Sequence, residues 1–188
     1  MLRFNIPFVL LFIVLYILTI IKLKKQKAPI EKYIIYAIFY IYIAKVIDEA
    51  FFPFPCDADI ISMFKQTHSN IKYNLIPFKS IIGYFNTSKF RTIQFYGNIL
   101  LFVPMGYLLP LIKTNINKLS KVLTMSFCIS LGIETMQLII SFMYGFAYRS
   151  FDVDDIIMNV FGAFLGFAFL KLTAPILNKL TEVELPKL

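Results

Sequence analysis

Arg149–Gly166 reads RSFDVDDIIMNVFGAFLG: one arginine and three aspartates run straight into an apolar stretch that also holds Asn159. Ionisable groups at a membrane boundary are costly, and chains keep them there where they face a protein interior or a polar cavity. In the apolar run before it, Glu134 and Gln137 stand in the same position. Arg149, Asp152, Asp154, Asp155 and Asn159, together with Glu134 and Gln137, therefore imply a polar site among transmembrane helices.

The rest of the chain supports that setting. Of its 188 residues 59% are hydrophobic, and the mean hydropathy is +0.73, more apolar surface than one soluble core can hide. Five runs, Phe4–Ile21, Tyr33–Phe54, Ile93–Ile112, Val122–Phe142 and Ile156–Leu172, each come near the roughly 20 residues that a helix needs to cross the hydrocarbon. They are continuous and not alternating, which excludes a closed barrel. The expected fold is all-α, a polytopic transmembrane bundle of about five helices with an amphipathic interfacial segment on the outer face. Residues 1–188 read as a single integral membrane domain, without an internal repeat or linker.

Charge placement gives an orientation. Only Arg3 precedes the first apolar run, while Lys22, Lys24, Lys25 and Lys27 follow it, the reverse of a cleavable signal peptide. Short, lysine-dense connections mark the cytoplasmic side, and Lys22–Lys32 and Lys113–Lys121 are the two best. Both fit an N-terminus outside, a C-terminus in the cytoplasm and the long segment Pro55–Thr92 crossing the outer face. That segment carries Lys65, Lys72, Lys79, Lys89 and Arg91, and its patches IISMF, YNLIPF and IIGYF should lie along the headgroup layer. Pro77 disfavours helix there, so a break is expected at Asn74–Pro77. The +8 net charge follows from these connections and is no nucleic-acid signal.

Within the helices the polar residues fall in stripes. Ser130, Glu134, Gln137 and Ser141 are spaced by four, three and four, which puts them on one helical face. Asp152, Asp155 and Asn159 repeat the pattern, followed by Gly162 and Gly166, which permit close helix approach. The third run offers Gln94 and Asn98, then Pro104 and Gly106, a pair that can loosen the helix. In the proposed topology these groups share the outer half of the bilayer, with Lys45, Asp48 and Glu49 at similar depth. They outline a cavity open to the outer leaflet, with Arg149 and the aspartates at its mouth.

Plainer readings stand beside this one. First-turn aspartates satisfy free amides at a helix start, and a lone intramembrane glutamate can stay protonated as a structural acid or pair with Arg149. Lys45, Asp48 and Glu49 have the spacing of a local ion-pair set. Cys56 and Cys128 lie in different contexts and carry no disulfide or metal signal. His68 is the only histidine and reads as solvated, so no transition-metal site is expected.

With these residues placed, the chain resembles the VanZ-like family of bacterial membrane proteins over about residues 73–169. The resemblance rests on Asn74-Leu-Ile-Pro-Phe78, on Asn98-Ile-Leu-Leu-Phe-Val-Pro104-Met-Gly106, on Ile133-Glu134-Thr-Met-Gln137, and on Arg149 to Gly162 with Asp152, Asp154, Asp155 and Asn159 in it. It implies a multi-pass protein of the bacterial cell membrane that lowers susceptibility to teicoplanin and similar lipid-tailed glycopeptides. It supplies a phenotype and no reaction.

Two functions follow as expectations. In the first, the protein is no enzyme: Asn98, Glu134, Gln137, Arg149, Asp152, Asp155 and Asn159 bind a lipoglycopeptide or a lipid-linked envelope precursor, with membrane lipids as the other partners and no cofactor. A guanidinium such as Arg149 suits an anionic headgroup. In the second, Glu134 is a general acid or base, and Asp152, Asp154 and Asp155 hold a divalent cation against phosphate, with magnesium or calcium favoured over zinc.

Overall fold

A computed structural model describes residues 2–67, 70–71, 73–85 and 89–180. Its helices are α1 (Ile6–Lys25), α2 (Ile30–Phe51), α3 (Ala58–Thr67), α4 (Lys79–Phe85), α5 (Lys89–Ile112), α6 (Leu119–Tyr144) and α7 (Val153–Leu180). Two short strands, β1 (Tyr73–Asn74) and β2 (Phe151–Asp152), pair in parallel, Tyr73 opposite Phe151 and Asn74 opposite Asp152. The all-α membrane bundle read from the sequence is the observed architecture.

Four helices, α1, α5 from Gln94, α6 and α7 to Lys179, are long and apolar enough to cross a membrane. The fifth expected span folds as α2, whose 22 residues give about 33 Å at 1.5 Å per residue. Its composition sets it apart, because Glu31, Lys32, Lys45, Asp48 and Glu49 interrupt the apolar sequence. α1 leans on α2, through Tyr16 Oη to the Tyr33 carbonyl at 3.1 Å and a 2.8 Å contact between the Thr19 and Tyr40 hydroxyls. Only Leu23 of α1 is buried.

The centre of the bundle is the parallel pair α5 and α7. A Cβ at Gly162 would overlap the Ile99 carbonyl oxygen, one at Gly166 that of Val103, and one at Gly106 that of Ala163. Glycine at these three places lets the two backbones touch. The loosening expected at Pro104–Gly106 does not interrupt α5, which runs unbroken to Ile112; Gly106 serves close packing instead. Phe102, Met105 and Leu108 of α5 then pack with Ala163 of α7 and with Tyr42 and Val46 of α2.

The chain path sorts the connections to two ends. Leu2 bridges to Phe54, so the start of α1 and the end of α2 lie together, joined there by the end of α6 and the start of α7. The lysine-rich connections Lys22–Lys32 and Lys113–Lys121 lie at the opposite end. At the first end, α3 is amphipathic, turning half-buried Ile60, Ile61 and Phe64 away from exposed Asp59, Ser62, Lys65 and Gln66. The break at Asn74–Pro77 forms as expected: Phe78 takes φ +67 and α4 starts at the next residue. His68 lies outside the described residues.

Candidate functional site

The buried face of α6 is its polar face. Apart from Val122, every buried residue of α6 is polar: Ser126, Ser130, Glu134, Gln137 and Ser141. In a bilayer this inversion follows directly, since lipid solvates the apolar side chains and leaves the polar ones to find partners inside. The expected stripe gains one member, Ser126, four residues before Ser130; the same spacing rule would have reached it.

The stripe on α7 meets it. Asn159 Nδ2 donates to Ser130 Oγ at 2.8 Å, and the Asp152 amide donates to Glu134 Oε2 at 3.0 Å. At the end of α6 a single hydroxyl organises the turn into β2: Ser141 Oγ has the Gln137 and Arg149 carbonyls within reach of its one proton and accepts from the Tyr148 and Arg149 amides.

Asp152 and Asp154 are committed to architecture. Asp152 Oδ1 accepts from the Asp154 amide at 2.9 Å and from Asn74 Nδ2 at 2.9 Å, and Oδ2 accepts from Ser80 Oγ at 2.5 Å. The first bond is an N-cap on α7. Asp154, 0% exposed, caps a different helix: Oδ1 accepts from the Phe78 amide at 2.5 Å, and Oδ2 from the Ser80 and Ile81 amides at 2.7 and 3.2 Å. These are the free donors at the start of α4, and a carboxylate is the best acceptor for them. The Asn74–Phe78 motif is thus the other half of the aspartate motif, a pairing that sequence spacing alone could not reveal.

This arrangement lends the cation alternative no support. Among the described residues, no group of three or more His, Cys, Asp or Glu side chains could hold a metal ion. Asp152 and Asp154 spend their oxygens on the 74–81 loop, so they do not join Asp155 in a triad.

The other expected ligand residues come together. A cleft of about 750 Å³ between α2, α5, α6 and α7 is lined by Asn98, Glu134, Gln137, Arg149, Asp155 and Asn159. Asp152 is the one expected ligand residue that does not line it. Lys45 and Glu49 also line the cleft; Lys45 Nζ lies 2.6 Å from Glu49 Oε1 and 3.2 Å from Asp48 Oδ2, the ion-pair set that the spacing allowed.

Some cleft residues have structural duties as well. Gln137 Nε2 donates to the Ala50 carbonyl at 2.8 Å and Arg149 Nη2 to the Phe52 carbonyl at 3.0 Å. Tyr148 Oη reaches the Phe51 carbonyl, and Tyr144 Oη donates to that of Pro55 at 2.6 Å. Four side chains thus clamp the carbonyls where α2 ends, which holds α2 as one wall of the cleft. The tyrosines were not foreseen, because a tyrosine near a helix end usually reads as an interface residue.

Two further groups meet at the cleft: the Asn98 amide stands against the Asp155 carboxyl as its hydrogen-bond partner, and Asn159 Oδ1 is buried beside them. They come from α5 and α7, the two helices locked together by glycine, so their placement is rigid.

A family model described as VanZ/LLP1 matches residues 33–174. No curated protein and no solved structure matches the chain. The matched region begins some 40 residues before the motifs quoted above and takes in α2, so Lys45, Asp48 and Glu49 fall inside the family region.

Proposed function

We propose that this chain, which belongs to the VanZ/LLP1 family, binds a lipid-tailed molecule in its polar cleft and thereby lowers susceptibility to teicoplanin and similar lipoglycopeptides. The cleft opens to the outer leaflet, the N-terminus lies outside and the C-terminus is cytoplasmic. The ligand is the antibiotic itself or a lipid-linked envelope precursor.

The observation that carries this reading is the cleft's composition: five polar residues from three helices, Asn98, Glu134, Gln137, Asp155 and Asn159, and Arg149 from the connection after α6 converge on one volume of about 750 Å³. The site also lies at the end opposite both lysine-rich turns, which the positive-inside rule assigns to the cytoplasm.

Expression in a susceptible bacterium tests the reading. Protection against teicoplanin should appear with the wild-type chain and vanish in Asp155→Ala, while Cys56→Ser and Cys128→Ser, at exposed thiols, should be silent. Full protection by Asp155→Ala at equal membrane level would reject the cleft as the binding site.

A further inference from the structure

Contacts shut three of the four seams around the cleft. Gln137, Tyr148 and Arg149 hold the carbonyls at the end of α2 against α6 and the connection that follows it. Asn159 bonds to Ser130 and the Asp152 amide to Glu134, which joins α7 to α6. α5 and α7 touch backbone to backbone at Gly162. The remaining seam runs between α2 and α5, and there Tyr42, Val46, Phe102 and Met105 close only the part nearer the lysine-rich end.

Exposure maps the mouth of the cleft to that gap. Among the lining residues Glu134, Gln137 and Asn159 are buried, whereas Gln94, Gly97 and Leu100 of α5 and Lys45 and Glu49 of α2 are exposed. Ser150, on the connection after α6, is exposed too and marks the aqueous side. The α2–α5 rim lies at membrane depth. Gly97 stands fifteen residues from the end of α5 at Ile112, and Lys45 fifteen from the start of α2 at Ile30. Both therefore sit about 22 Å from the lysine-rich end at 1.5 Å per residue, inside a hydrocarbon layer of roughly 30 Å. Lys45 and Glu49, with side chains 60% and 56% exposed, form their ion pair at a depth where charge facing lipid is costly. Such a pair has a use where polar groups must cross the rim.

We propose that the gap between α2 and α5 is a lateral entrance, through which the polar head of a membrane-resident lipid passes into the cleft while its tail stays in the bilayer, with Lys45 and Glu49 as the polar sill that the head crosses. This rests on the lipid-binding reading and adds the route. The route selects the kind of ligand: one that resides in the leaflet, such as a lipid-linked precursor, over an amphiphile delivered through water.

The test uses the full chain in lipid nanodiscs. A Cβ at Gly97 meets open space, so the rim tolerates a label there. A nitroxide on Gly97→Cys, with Cys56→Ser and Cys128→Ser in place, should be relaxed by oxygen dissolved in the bilayer about threefold or more over an aqueous nickel chelate. A nitroxide on exposed native Cys56 should show the reverse order. A trace geranylgeranyl phosphodiester with a diazirine on its head should be captured at Leu101 or Ile133, which line the cleft. Mass spectrometry should show that capture cut about tenfold or more by Gly97→Trp, which crowds the rim, and kept by Ser150→Trp, which crowds the aqueous side. Lys45→Leu with Glu49→Leu should slow capture about fivefold or more; an unchanged rate overturns the sill. Nickel reaching Gly97 as readily as Cys56, or capture that survives Gly97→Trp, overturns the lateral entrance and leaves lipid binding intact. Absence of capture in the wild-type cleft removes the lipid-binding reading itself, and this inference with it.

Discussion

Asp154→Ala should undock the loop from Tyr73 to Ile81 without unfolding the bundle. The carboxylate accepts three backbone amides in a site with no exposure, those of Phe78, Ser80 and Ile81. Hydrogen bonds to a charged acceptor contribute about 1.5–3 kcal/mol each, so three set a ceiling of roughly 4.5–9 kcal/mol. The loop lies at a helix end and its amides regain water when it lifts, which leaves roughly 3–5 kcal/mol for docking. Hydrogen exchange reads this directly, since about 1.4 kcal/mol is a tenfold change in an equilibrium. Protection of the Phe78, Ser80 and Ile81 amides should fall by about a hundredfold to several thousandfold, while the amides of α5 and α7 keep theirs. Asp154→Asn should fall between, because one carbonyl oxygen survives. Wild-type protection of the three amides in Asp154→Ala would refute the capping role and return Asp154 to the pool of ligand candidates.

Gly162→Ala should lower folded yield and thermal stability, by about 3 kcal/mol or more where overpacking is severe, because its Cβ overlaps the Ile99 carbonyl; Gly132→Ala, which meets open space, should leave Tm unchanged or raised. Glu134→Gln should keep most protection against teicoplanin and Glu134→Ala lose it, since the amide oxygen can still accept from the Asp152 amide; loss with Gln would instead indicate proton transfer. With Cys128→Ser in place, exposed Cys56 should react with an impermeant thiol reagent in intact cells, and a cysteine at Gln26 should not; the opposite pattern would turn the protein over in the membrane.

The helical stripes were legible because a membrane helix must turn its polar residues inward, so Ser130, Glu134, Gln137 and Asn159 could be placed on facing sides before any coordinates. The cleft follows from that logic, and Asp155 and Asn98 with it. What spacing could not tell apart is a carboxylate that holds a loop from one that waits for a ligand. Asp152, Asp154 and Asp155 sit within one helical turn, yet the first two are occupied by a loop more than 70 residues earlier in sequence. Non-local pairing of that kind leaves no periodic trace. Likewise α2 lacked any quoted motif, although its end is gripped by Gln137 and Arg149, because carbonyls of any residue serve that purpose.

The central claim is that the cleft between α2, α5, α6 and α7 holds a lipid-tailed ligand, and native mass spectrometry of the chain with its retained lipids tests it most directly. Gly97 lines the cleft with open space at its Cβ, so Gly97→Leu projects an apolar side chain into the volume. The wild-type protein should carry one tightly held lipid-linked molecule that Gly97→Leu lacks, at unchanged Tm. Identical lipid content in the two proteins, with only bulk phospholipid bound, would contradict the account.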